Sequence, residues 1–177
     1  MYFTDAINTK KMGIFKFIKD AGVKAFGAGK ETKGVSTKVA VDRQNEDRIE
    51  NEKAARKLEE TIRDLNLKVE NLNITIKDDL AIVSGHSDKQ STREKVILVI
   101  GNVEGISQVE DNLTVENKEP ESVFHTVERG ETLSKIAKEH YGNANKYPEI
   151  FEANKPMLKD PDIIYPGQVL RIPTLKK

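Results

Sequence analysis

The chain has 177 residues, with 29 Lys and Arg balanced by 29 Asp and Glu, and no cysteine. Zero formal charge removes the basic field that draws a protein to nucleic acid or to an anionic membrane surface, and the lack of thiols removes disulfides, thiolate nucleophiles and thiolate zinc sites. The length leaves room for two small domains, each with a modest core.

Lys10 and Lys11 ahead of Met12, Gly13, Ile14 and Phe15 have the look of a secretory signal, but Lys16, Lys19 and Asp20 break the apolar run. The chain therefore reads as soluble and unexported, without an integral membrane segment. Met12 is a second candidate start, which would leave 1–11 as an upstream extension. Over 13–26, Ile14, Ile18, Ala21 and Ala25 recur at helical spacing and predict a short amphipathic helix or a pair of turns. A helix that short is marginal in water, so it must dock to be ordered. The competing reading, a membrane-surface anchor, is disfavoured by the mixed face of Lys16, Lys19, Asp20 and Lys24. Residues 30–50 are polar and charged and read as a mobile linker. Gly27-Ala28-Gly29-Lys30-Glu31 fails as a phosphate loop, since Lys24 stands where its first glycine is needed and Glu31 where Ser or Thr must follow the lysine.

Ala55, Leu58, Ile62 and Leu65 line one face of a helix that Asn66 can stop. Leu72, Ile74 and Ile76 alternate with polar residues, Asp78-Asp79 makes a turn, and 80–84 returns as a second arm closed by Gly85. Ser91 with Glu94 has the form of a capping box, starting a helix near Thr92. That helix carries Val96, Ile97, Leu98, Val99 and Ile100 in succession and is expected to end at a left-handed Gly101-Asn102 turn. Five consecutive apolar residues cover the whole circumference, so the helix has no wet face and needs cover on two sides. The N-terminal segment is the expected second cover. A third strand follows over 109–115, completing αββαβ. Residues 116–122, with Pro120, read as a domain linker. Beyond them come a strand at 124–127, a helix with Leu133, Ile136, Ala137 and Tyr141 inward that Gly142 stops, a second helix with Ile150 and Phe151, and a strand at 168–172. The expected fold class is α+β in two small domains.

These segments resemble known modules. Phe124-His125-Thr126-Val127 with Gly130-Glu131-Thr132-Leu133-Ser134-Lys135-Ile136-Ala137, Asn154 and Tyr165-Pro166-Gly167-Gln168-Val169-Leu170-Arg171-Ile172-Pro173 resembles a LysM domain. Residues 51–115 resemble a BON domain through the αββαβ order and Val99-Ile100-Gly101-Asn102-Val103-Glu104-Gly105-Ile106. The pair, preceded by the 12–22 segment, is similar to the bacterial potassium-binding protein family. That resemblance implies an extension and docking segment at 1–29, a linker at 30–50, a BON domain at 51–115, a linker at 116–122 and a LysM domain at 123–173. It further implies a cytoplasmic, monomeric binder of potassium, also taking rubidium and caesium, that compacts on ion binding. Its ion would be held by main-chain carbonyls of Ile18, Ala21 and Val23 on one side and Gly101, Val103 and Ile106 on the other. Neutral carbonyl dipoles suit a large, weakly hydrated monovalent ion.

The second function the resemblance allows is peptidoglycan binding at the cell envelope, through N-acetylglucosamine contacts at Gly130, Glu131, Thr132, Leu133, Asn154, Pro156, Ile163 and Ile164. A structural role in stress response ranks third, and for the ion itself sensing, buffering and partner control are all open. Divalent sites at Asp78-Asp79 or Asp160-Pro161-Asp162 are disfavoured because both read as turns. His86, His125 and His140 show no metal-ligand spacing. No Gly-x-Ser-x-Gly elbow, cysteine nucleophile or coherent acid and base pair is visible, so no catalysis is expected.

Overall fold

The structure is a computed structural model that describes residues 13–16 and 37–175. Its elements run β1 (Gly13–Lys16), α1 (Thr37–Asp64), β2 (Glu70–Lys77), β3 (Leu80–Lys89), α2 (Gln90–Gly101) and β4 (Gln108–Asn117). A second set follows: β5 (Val123–Thr126), α3 (Leu133–Tyr141), a 3-10 turn at Ala144–Lys146, α4 (Tyr147–Ala153) and β6 (Val169–Ile172). This is α+β, with a four-stranded sheet ordered β1-β4-β3-β2 and a separate two-stranded sheet of β5 and β6.

The first helix is longer than expected. Thr37–Asp64 is helical through much of the supposed linker, because the stretch has no Gly or Pro and is rich in Ala, Glu, Lys and Arg, all good helix formers. Its second half buries a stripe, at Ala55, Leu58 and Ile62. Residues 45–50 are exposed, so the helix projects past the sheet. Asn66 ends the segment in the left-handed region at φ 56, as its position suggests.

β2 and β3 form the antiparallel hairpin across Asp78, which is left-handed at φ 54. Gly85 does not close the second arm. β3 runs on to Lys89, and Gly85, at φ 149, lies where the β2–β3 register shifts between Glu70 and Asn73. A Cβ there would come within 2.7 Å of Val69 Cγ1 and 2.9 Å of the Glu70 carbonyl, so only glycine lets the strands cross at this irregularity. β3 and β4 are parallel, joined by α2 as a crossover. The helix expected over 13–26 is not formed at its start: Gly13–Lys16 is a strand, antiparallel to the outer edge of β4. That edge offers a row of free backbone groups, and pairing there outweighs a marginal local helix.

α2 is buried along its length, with Val96 to Ile100 between 0% and 8% exposed. One side lies on β3 and β4. Among the described residues the cover on the other side is β6 of the second unit; the N-terminal segment expected there lies, apart from Gly13–Lys16, outside them. Val169 of β6 joins the first core, while its neighbours Leu170 and Ile172 point into the second core with Val127, Leu133, Ile136 and Ile150. The strand thus serves two cores by ordinary alternation. Phe15 of β1 meets Phe124 of β5 edge to face at 5.2 Å, adding to the same junction.

The capping box is replaced by something else. The residue before α2, Lys89, makes no side-chain cap, and Glu94 turns inward, 3% exposed, to Arg171 of β6. Arg171 Nε donates to Glu94 Oε2 at 2.5 Å, and Glu94 Oε1 accepts from Gln90 Nε2 at 3.0 Å and the Ser122 N–H at 2.9 Å. Burial acts to raise the Glu94 pKa, but the hydrogen bonds from Gln90, Ser122 and Arg171 outweigh it and hold the carboxyl below its ordinary value. Both residues at this contact are nearly buried, so the pair stands or falls together.

Candidate functional site

The last carbonyls of any helix lack partners within it. At the end of α2 some are satisfied locally: Leu98 O accepts from the Asn102 N–H and from Asn102 Nδ2, and Ile100 O accepts from the Val103 N–H. The Ile106 N–H donates to Val103 O at 3.2 Å, closing a compact turn. Gly101 is not left-handed as expected. It completes the helix, Asn102 follows at φ −85, and the chain reverses at Gly105, with φ 91 and open space where a side chain would stand. The reason is Asn102, whose side chain caps α2 and leaves no need for a left-handed residue there. It also reaches the second unit, donating from Nδ2 to Val169 O at 3.0 Å and accepting the Val169 N–H on Oδ1 at 2.8 Å.

Gly101, Val103 and Ile106 are therefore gathered in one turn, with Gly101 and Ile106 buried and Val103 half-buried. Among the described residues none donates a hydrogen bond to the Gly101 carbonyl. Ile18, Ala21 and Val23 lie outside the described residues. Their neighbour β1 bears on them, since Lys16 pairs with Gln108 and the antiparallel strand runs toward Ile106 and the turn.

Between this turn and the projecting half of α1 is a cleft of about 570 Å³, floored by Val99, Val103 and Ile106. Among the described residues it is lined by the carboxylates Asp47, Glu50, Asp78 and Glu104 and by one cation, Lys57. Four carboxylates against one ammonium make the cleft attractive to cations of any kind through the summed field, without contacting a bound ion. Sequence reasoning missed Asp47 and Glu50 because it placed them in a linker. Their signal was the spacing Asp47, Glu50, Ala54, Lys57, Thr61, which follows one face of an extended α1.

The eight glycan candidates are not brought together as a single exposed set. Leu133 is 2% exposed in the second core, and Asn154, at 1%, spends its amide on the Ile150 and Arg171 carbonyls and the Arg171 N–H. Thr132 caps α3 by accepting the Lys135 N–H, Glu131 accepts from the Glu128 N–H at 2.6 Å, and Gly130 is left-handed at φ 82. Pro156 follows a cis peptide bond, Ile163 is exposed and Ile164 packs at the edge of the core. The three histidines also differ from expectation. His86 bonds Thr114, whereas His125 and His140 come together with their ring nitrogens 3.2 Å apart. A strand and a helix end, fifteen residues apart in sequence, are what ligand spacing alone overlooks.

No helix among the described residues is long and apolar enough to cross a membrane. Comparison with known families matches the BON domain over residues 50–117 and the LysM domain over residues 125–173. The chain is 42% identical, over 163 residues, to the potassium binding protein Kbp of Escherichia coli O6:H1, covering 92% of this chain and 99% of that protein. It is also 47% identical over 49 residues to an uncharacterized protein of Deinococcus radiodurans, a match that covers 28% of this chain and 19% of the other.

Proposed function

From the premise that this chain belongs to the bacterial potassium-binding protein family, a BON domain followed by a LysM domain, we propose that it binds potassium at the turn that ends α2. The observation that carries the reading is the gathering of Gly101, Val103 and Ile106 at one helix end, where the negative end of the dipole favours a cation. The direction of β1 supports Ile18, Ala21 and Val23 as the opposing carbonyls: they begin two residues after Lys16, which pairs two residues from Ile106. Ion binding would then draw the N-terminal segment onto the BON core, a compaction linked to the ion. The carboxylate-lined cleft beside the turn raises the local cation concentration, and neutral carbonyls provide the selection for potassium, rubidium and caesium over sodium and lithium. We place this activity in a monomeric cytoplasmic protein acting as an ion sensor without catalysis.

Titration calorimetry and thermal melting in potassium against sodium at equal ionic strength test the proposal. A ligand bound only by the folded state adds about 2.7 kcal/mol at a hundredfold excess over Kd, which raises the melting temperature by about 5–11 °C for a chain of this size. Equal stabilisation by the two ions would sink the selective site. Peptidoglycan binding is the lesser reading, since Leu133 and Asn154 are committed to the second core.

A further inference from the structure

The second unit holds a cluster that the potassium reading does not use. His125 lies on β5, and His140 and Glu139 end α3. His125 Nε2 is 2.9 Å from Glu131 Oε2, and an ionised carboxylate only accepts, so Nε2 carries the proton. Nδ1 of His125 is thereby left as a bare lone pair. It faces His140 Nε2 at 3.2 Å, with the two rings perpendicular. A Glu139 carboxylate oxygen completes a trio of donor atoms that all lie within 4.8 Å of one another.

We propose that His125 Nδ1, His140 Nε2 and the Glu139 carboxylate form a site for a divalent transition-metal ion of the zinc class, with Glu131 orienting His125 from behind. Bonds of about 2.0–2.1 Å in tetrahedral geometry put two nitrogen donors about 3.3 Å apart, which the observed spacing meets. Two imidazoles and a carboxylate, with water in the fourth position, form a complete coordination sphere for zinc. The carboxylate behind a ligating imidazole fixes its tautomer and raises its basicity. Potassium does not compete, because hard monovalent ions prefer oxygen donors. In the ion-free protein the His140 Nε2–H bonds to the His125 Nδ1 lone pair; to bind the metal His140 takes its other neutral tautomer, with the proton moved to Nδ1 and Nε2 free to ligate.

The test is titration of the full-length protein with Zn²⁺, in potassium buffer, against a chromophoric chelator, with Co²⁺ as a spectroscopic probe. We expect one ion per chain and a visible Co²⁺ band of tetrahedral intensity. His140→Ala should weaken binding at least 100-fold, Glu139→Gln about 10-fold and Glu131→Gln about 10-fold by loss of the orienting bond. Melting should show that each variant stays folded, and the potassium response should not change. Glu139 is exposed, so Glu139→Gln keeps the test valid if His140→Ala fails to fold. Absence of binding at millimolar Zn²⁺, or unchanged affinity in folded His140→Ala or in Glu139→Gln, would overturn the site. An octahedral Co²⁺ spectrum with several ions per chain would likewise identify only adventitious surface binding.

Discussion

Replacing Asn102 by alanine should loosen the joint between the two units without touching either apolar core. The amide makes three side-chain bonds: Nδ2 to Leu98 O, Nδ2 to Val169 O, and Oδ1 from the Val169 N–H. Val169 is 2% exposed, so its donor and acceptor would lose partners where water enters poorly. Each such group costs about 1–3 kcal/mol. Asn102 itself is exposed and lets some water in, which puts the sum near the lower end, about 2–3 kcal/mol. At 2–4 °C per kcal/mol the melting temperature should fall by about 4–12 °C. Asn102→Asp should be at least as damaging. It keeps the acceptor for Val169, loses the donor, and adds a negative charge at the negative end of α2, a further ~0.3–1 kcal/mol. Urea unfolding followed both by far-ultraviolet circular dichroism and by tyrosine fluorescence is the assay. The chain has no tryptophan, and three of its four tyrosines, Tyr141, Tyr147 and Tyr165, lie in the second unit while Tyr2 stands near the N-terminus, so fluorescence reports mainly that unit. Wild type should show coincident transitions at one midpoint. A loss below about 0.5 kcal/mol in Asn102→Ala would refute the idea that this side chain joins the two units.

Glu94→Gln should cost about 3–5 kcal/mol, because Arg171 would remain buried without its counter-charge. The Glu94 carboxyl is held below its ordinary value of 4.5 in the folded protein, so its contribution is present above that value and is lost as pH falls through the lower folded pKa. Acid unfolding in the variant should lack that step. Gly105→Ala meets no neighbouring atom but forces a side chain into a left-handed residue, a cost of about 1–2 kcal/mol. Calorimetry should show its potassium affinity reduced, and an unchanged affinity would separate the ion from this turn. Gly85→Ala should cost about 3 kcal/mol in urea unfolding, through contact with Val69 and the Glu70 carbonyl at φ 149. Little of the full-length protein should be retained on insoluble peptidoglycan in a sedimentation assay, and strong retention would promote the glycan reading.

The apolar run from Val96 to Ile100 told most about the fold, since it required a helix covered on two sides and α2 is such a helix. The identity of its second cover was not legible. Val169 and Arg171 belong to a strand some seventy residues later, and alternation within four residues does not reveal which partner lies on each face. Glu94 was misread for a related reason: a carboxylate three residues after a serine satisfies the local capping rule, but the buried Arg171 offers more than an exposed backbone N–H. The linker was misread because charge without periodicity describes both a disordered segment and an exposed helix, and 45–50 is the latter. Of the proposed potassium site, Gly101, Val103 and Ile106 were legible as one helix-ending turn. The cleft beside it was not, as it depends on where α1 begins. The histidine pair had no local signal at all.

The strand that completes the first core is synthesised long after the helix it covers. Asn102 waits for Val169 across 67 positions, and Glu94 waits for Arg171 across 77. During translation α2 therefore emerges with an uncovered apolar flank and an unpaired carboxylate, and neither is sealed until β6 has itself emerged. Contacts this distant in sequence slow the final docking and prolong exposure of an aggregation-prone surface. The nascent protein should depend on holding chaperones until β6 is free to dock, and truncation just before β6 should direct it to degradation even though all of the BON domain is present.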